Sequence, residues 1–143
     1  MPHLTLSAQP EPEALEVIGQ GLNIFNDIVT GYTDRQPLNI LIRDTPDSPI
    51  LGGILGRTSL GLLFVELVYL PEHLRGTGLG ARMMAMVEQE ARNRGCKGGV
   101  LYTISFQAPG FYQRLGWEVF GTIPCDPPGT ARVFLRKEFT SPP

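Results

Sequence analysis

Two groups of residues in this 143-residue chain have the types and spacing that chemistry needs. The first is Arg75-Gly76-Thr77-Gly78-Leu79-Gly80, which sets three glycines in five residues just ahead of a helical pattern. A turn without Cβ atoms bends sharply and lets the backbone approach a ligand closely. A helix that starts there offers unpaired N–H groups and the positive end of its dipole, which suits a pyrophosphate. The second is Glu66, the one charge inside the apolar run Leu60–Leu70. A carboxylate on an apolar strand is either paired or working. A working Glu66 takes a proton from an amine, through water, or binds a cation; a paired one answers an arginine such as Arg43 or Arg57.

The elements that must position these groups follow from the hydrophobic period. His3–Ser7 alternates and reads as a short edge strand, closed by Gln9-Pro10-Glu11-Pro12. Residues 13–29 carry a helical stripe of Leu15, Ile18, Leu22, Phe25, Ile28 and Val29. Gly19 and Gly21 each weaken that helix by about 1 kcal/mol, which leaves two short helices, a bent one and a straight one all open. Pro37–Arg43 and Ile50–Arg57 are strands joined by the turn-rich Asp44–Pro49, and Leu60–Leu70, apolar on both faces, is a central strand. From Leu79 the period is helical, with Leu79, Met83, Met86, Val87, Glu90 and Ala91 facing the sheet and Arg82, Glu88, Gln89, Arg92 and Asn93 facing water, until Gly95. Gly98–Ser105 is a buried strand, Ala108–Leu115 a short helix, Trp117–Gly121 a strand, Asp126–Thr130 a loop and Ala131–Phe139 a last strand. This order predicts an α/β (α+β) mixed sheet with helices on both faces, formed as a single domain over residues 1–143.

Bulk properties exclude several classes. A net charge of −2 and scattered basic residues give no footprint for nucleic acid. No apolar stretch reaches the ~18 residues of a membrane span and no leader pattern is present, so the expectation is a soluble, cytoplasmic protein. Cys96 and Cys125 lack metal-ligand spacing and read as reduced thiols, and no metal is expected.

Residues 76–81, GTGLGA, also satisfy the dinucleotide pattern G-x-G-x-x-G/A. The context opposes it. Pro71–Leu74 intervenes between strand and glycines, and the strand Gly98–Ser105 ends in hydroxyls where an acidic residue belongs. No triphosphate loop pattern occurs.

The same residues resemble the acetyl-CoA motif of the GNAT superfamily of N-acetyltransferases, Gln/Arg-x-x-Gly-x-Gly/Ala, with Arg75, Gly78 and Gly80 at the defining positions. Downstream, Ala108-Pro-Gly-Phe111-Tyr112-Gln-Arg-Leu-Gly116-Trp117 is similar to that family's second signature, Ala-x-x-Phe/Leu-Tyr-x-x-x-Gly-Phe/Trp. The resemblance implies a mostly antiparallel sheet of six to seven strands with a V-shaped splay between strands 4 and 5. It implies acetyl-CoA as cosubstrate, held by Arg75, Gly76, Thr77, Gly78, Leu79, Gly80 and Ala81 at the phosphates. Val68, Tyr69 and Leu70 would bind its pantetheine arm like an added strand, with a bulge there aiming an N–H at the thioester carbonyl. Ala108 and Phe111 complete the coenzyme contacts. Ser105 stands where many members have asparagine, and it either touches the coenzyme or caps the short helix.

Tyr112 occupies the family's general-acid position. A phenol of ordinary pKa about 10 is protonated at neutral pH and can donate to a departing thiolate; the alternative is a core tyrosine bonded to backbone. Glu66 lies where aminoglycoside-modifying relatives carry an acceptor-facing glutamate. His73 is an exposed turn histidine near the phosphates, and Phe25, Asn26 and Tyr32 are candidates for the acceptor wall. The expected reaction is direct acetyl transfer to a primary amine of a small molecule. A protein lysine or N-terminus as acceptor, and a coenzyme A-binding sensor without turnover, are the alternatives; a homodimer is compatible with this reading.

Overall fold

Backbone pairing fixes the order of a six-stranded sheet as β1-β2-β3-β4-β6-β5 in the computed structural model of the chain, which describes residues 1–139. The strands are β1 (Gln36–Ile42), β2 (Gly52–Ser59), β3 (Leu62–Tyr69), β4 (Gly98–Ile104), β5 (Glu118–Cys125) and β6 (Thr130–Glu138). Every neighbouring pair is antiparallel except β3 and β4, which run parallel and need the crossover helix α2 (Leu79–Asn93) between them. A short helix α3 (Pro109–Arg114) joins β4 to β5.

The chain divides into two compact units, residues 1–33 and residues 34 onward. The first holds α1 (Pro12–Thr30), one continuous helix in spite of Gly19 and Gly21. Pro12 starts it and Gly31, at φ 75°, ends it in the left-handed cap that glycine favours. The expected strand at His3–Ser7 is absent: those residues join no ladder, and five residues without a neighbour cannot satisfy a strand's backbone.

In the second unit the inward residues of the sheet, among them Ile54, Leu63, Leu101 and Leu135, pack on Met83, Met84, Val87 and Ala91 of α2 and on Tyr112 of α3. Both helices lie over one face, because Lys137 of β6 reaches Glu88 of α2 at 2.6 Å and the Leu115 carbonyl at the end of α3 at 2.7 Å. Here α2 departs from the sequence expectation. Its buried stripe runs through Met84 and Glu88, while Met86 is exposed and Glu90 bonds Arg94 instead of meeting the sheet. Glu88, only 4% exposed, tolerates burial because Lys137 neutralises it and the Trp117 indole donates to its second oxygen at 3.4 Å. A period count cannot see such pairing. Strand β5 also continues past Gly121 to Cys125, with Phe120 as an extra residue at a register shift against β6.

The feature that opens the sheet is a bulge in β3. Leu55 pairs with Leu67 and the next residue of β2, Gly56, pairs with Val65, so Glu66 is the extra residue. The parallel pairing with β4 runs from Leu62↔Gly98 to Val65↔Leu101 and ends there. Beyond it β3 stays bonded to β2, while its edge towards β4 has no ladder partner. Gly56 answers the bulge directly: a Cβ on it would stand 2.5 Å from the Phe64 carbonyl oxygen.

Gly56→Ala is therefore expected to lower stability in denaturant unfolding by about 1–3 kcal/mol, the range for overpacking. Gly21→Ala, whose Cβ meets nothing within 4 Å in α1, should instead leave stability equal or raised by up to about 1 kcal/mol. A neutral Gly56→Ala would show that the bulge relaxes without cost.

Candidate active site

Where β3 and β4 part, a cleft of about 780 Å³ opens between them, walled by the second halves of both strands, the glycine turn and α3. The wall from β3 runs through Glu66, Leu67, Val68, Tyr69 and Leu70, and the opposite one through Leu101 to Ile104. The floor of the helix side is Gly76, Gly78, Gly80, Ala81 and Met83, and α3 contributes Phe111 and Tyr112 next to Ala108. The predicted residues from both motifs thus meet at one opening.

The glycine turn is built for close approach. Gly76 and Gly78 have φ of 75° and 84°, and a Cβ on either would meet nothing within 4 Å, so their outer side is open. Gly78 precedes α2, which has neither a side-chain cap nor an acidic residue in its first turn. The first N–H groups of this fifteen-residue helix are left for an anion. Gly80 serves packing: a Cβ there would press on the Phe111 ring at 3.2 Å, so glycine lets α2 and α3 come together. Arg75 is engaged within the protein. Its Nε donates to the Leu70 carbonyl at 2.8 Å, tying the turn to the end of β3. Thr77 donates its hydroxyl to the Leu74 carbonyl and Leu79 packs on the core, and neither lines the cleft. His73 sits in the short 3₁₀ turn Glu72–Leu74 and also stays outside the lining.

Ser105 is likewise outside. Its hydroxyl accepts the Ala131 N–H at 3.0 Å, which extends the β4–β6 ladder. Gln107 stands at the cleft instead: its Oε1 accepts from the Thr103 hydroxyl at 2.8 Å and the Ile104 N–H at 2.9 Å, closing the end of β4. Its place one residue before Ala108 was visible in the sequence, but nothing there said that it would fold back on β4. Phe25, Asn26 and Tyr32 belong to the N-terminal unit, where the Asn26 carbonyl accepts from Thr30 and the Tyr32 N–H donates to the same hydroxyl at the end of α1.

Tyr112 is 7% exposed, with its ring edge-on to Phe111 at 5.1 Å. Burial pushes its phenol above the ordinary value, which keeps the proton on at neutral pH. Its own carbonyl accepts from the N–H groups of Leu115 and Trp117, so its backbone is held from the far end of α3. Glu66 faces away from the core. It forms an ion pair with Arg57 at 2.9 Å through Oε1, and the Arg57 guanidinium lies 4.0 Å over the Phe64 ring. Cys96 is buried, its thiol pushed up by that burial, and is not part of the cleft. No group of metal-binding side chains occurs among the described residues, and none of their helices is long and apolar enough to cross a membrane.

Comparison with known proteins agrees with this geometry. The model of the acetyltransferase (GNAT) family matches residues 15–117. An acetyltransferase of Agrobacterium fabrum is 35% identical over 137 residues, covering 96% of this chain and 99% of that protein. Blasticidin-S acetyltransferase of Streptomyces morookaense is 42% identical over 90 residues, 62% of this chain and 66% of that protein. A crystal structure from Agrobacterium tumefaciens that bears an acetyltransferase assignment superposes with a TM-score of 0.88 at 35% identity, over 96% of this chain and 99% of that one.

The buried phenol makes a pH prediction. With its folded pKa raised above its unfolded value, Tyr112 costs no stability below about pH 10, and stability falls as pH rises further because the unfolded chain ionises first. Unfolding midpoints followed from pH 8 to 11 should drop more steeply for the unaltered protein than for Tyr112→Phe. Parallel curves would mean that the phenol ionises as easily folded as unfolded.

Proposed function

The chain belongs to the GNAT family of acetyltransferases and uses acetyl-CoA, and from that premise we propose that it acetylates the primary amine of a small molecule by direct attack in one ternary complex. The observation that carries this reading is the cleft at the β3 bulge, which joins the glycine turn and Tyr112 on the helix side to Glu66 on the other face. The Streptomyces relative is named for a small-molecule acceptor, which favours that class over a protein lysine or N-terminus.

Acetyl-CoA supplies an electrophilic thioester carbonyl and a thiolate leaving group. The chain's own groups do the rest. N–H groups from Gly76 to Ala81 take the phosphates, and the unpaired edge of β3 from Leu67 to Leu70 takes the pantetheine amides as an added strand would. An N–H freed near the bulge would stabilise the oxyanion as the amine adds. As the C–N bond forms and the C–S bond breaks, Tyr112 gives its proton to the sulfur and Glu66, directly or through water, takes the one from nitrogen.

Magnitudes favour a working Glu66. Its pair with Arg57 is half-exposed at both ends, and such pairs contribute about 0–1 kcal/mol. That is a weak reason to interrupt an apolar strand with a charge. Direct transfer fits Cys96, which burial keeps as a thiol away from the cleft and so unsuited to carry the acyl group.

Incubation with acetyl-CoA and a pool of small amines should release free thiol and yield N-acetyl products. Tyr112→Phe should lower kcat at pH 7 by about ten-fold or more with little change in the KM for acetyl-CoA. Glu66→Gln should lower kcat/KM for the amine while coenzyme affinity stays within about two-fold. Tight acetyl-CoA binding without turnover of any amine would overturn the transferase reading, and an equal loss of both affinities in Glu66→Gln would make that residue structural.

A further inference from the structure

The acceptor side of the cleft holds a cation that the reaction itself does not require. Strand alternation puts Tyr102 of β4 and its partner Phe134 of β6 on the face away from α2 and α3, and Arg132, two residues before Phe134, on that same face. The Arg132 guanidinium lies 5.6 Å over the Tyr102 ring, and Tyr102 in turn packs on Phe134 at 5.6 Å. Both Arg132 and Tyr102 line the cleft, across from Glu66.

The charge balance at this end is uneven. Glu66 is the sole acid lining the cleft among the described residues, and Arg57 already neutralises it through Oε1. Arg75, the other lining arginine, is on the phosphate side and bound to the Leu70 carbonyl. Arg132 forms no ion pair with any described carboxylate; its contact is the tyrosine ring. A guanidinium held over an aromatic ring keeps N–H groups to offer, and arginine can meet a carboxylate with two parallel bonds.

We propose that the acceptor is an amine that also carries a carboxylate, with Arg132, held over Tyr102, binding the carboxylate while Glu66 faces the amine across the cleft. An acceptor with only positive charges would meet Arg132 uncompensated. This inference rests on the acetyl-transfer reading and narrows its substrate class.

The test uses matched probes: glycine, phenylalanine and 4-aminobutanoate, each beside its own carboxamide, with acetyl-CoA in excess at pH 8. Amidation lowers the amine's basicity and so favours the amide chemically, which sets any carboxylate preference against the intrinsic bias. The expected result is a kcat/KM for at least one acid about ten-fold or more above that of its amide, carried by KM, as one charge-assisted contact gives. Arg132→Gln should bring that ratio close to one, and Arg132→Lys should retain part of it, with unchanged melting temperatures showing that both variants are folded. Amides used as well as or better than the acids, or an acid preference untouched in folded Arg132→Gln, would overturn the inference while leaving acetyl transfer intact. If neither member of any pair is acetylated while other amines are, the inference falls alone; if no amine is acetylated at all, both readings fall.

Discussion

One extra residue in one strand governs this structure. With Glu66 inserted against β2, β3 bends away from β4 after Val65↔Leu101, and the parallel pair parts in the middle of the sheet. A continued ladder would seal the gap, and Val68, Tyr69 and Leu70 would spend their edge hydrogen bonds on β4. The bulge instead leaves that edge without a ladder partner and changes which side chains face the core. Ile54 of β2 is wholly buried and has Val68 as its partner, so the inward set moves from odd positions at Leu63 and Val65 to an even one at Val68. Gly56 stands opposite because the Phe64 carbonyl occupies the space where a side chain would begin.

The parted strands divide the work between two faces. On the helix face, α2 and α3 must stay in register with each other, since one follows the glycine turn of the cleft and the other carries Tyr112. The ion pair of Glu88 with Lys137 does this from beneath: Lys137 also holds the Leu115 carbonyl, and Trp117 bonds both Glu88 and the Tyr112 carbonyl. Removing one partner of such a buried pair costs about 3–5 kcal/mol, several times what the half-exposed Glu66–Arg57 pair contributes. The inner pair therefore carries a structural weight that the half-exposed outer pair does not.

Much of this could be read from the chain. Two short motifs located the glycine turn and Tyr112, and the period of each segment located all six strands and three helices to within a few residues. What failed did so for tertiary reasons. The alternation at His3–Ser7 lacked a neighbour to pair with, and the stripe of α2 was placed one step away because Glu88 looked solvated until Lys137 and Trp117 surrounded it. Ser105 was expected at the coenzyme or as a helix cap, but it bonds β6, and Gln107 closes the strand end beside it. Arg132 carries no signal in the sequence, where an arginine in an alternating strand reads as a solvated face; only the fold brings it over Tyr102 and into the cleft.

If the free edge of β3 past the bulge receives the coenzyme as an added strand, its amides are shielded on binding. Amide hydrogen exchange resolved by residue, with and without coenzyme A, tests it most directly. Exchange is expected to slow on binding at residues in 67–70 and in the turn 76–81, with little change at Leu62–Val65, which the sheet already protects. Protection of the turn with none in 67–70, or binding that leaves both segments unchanged, would contradict it.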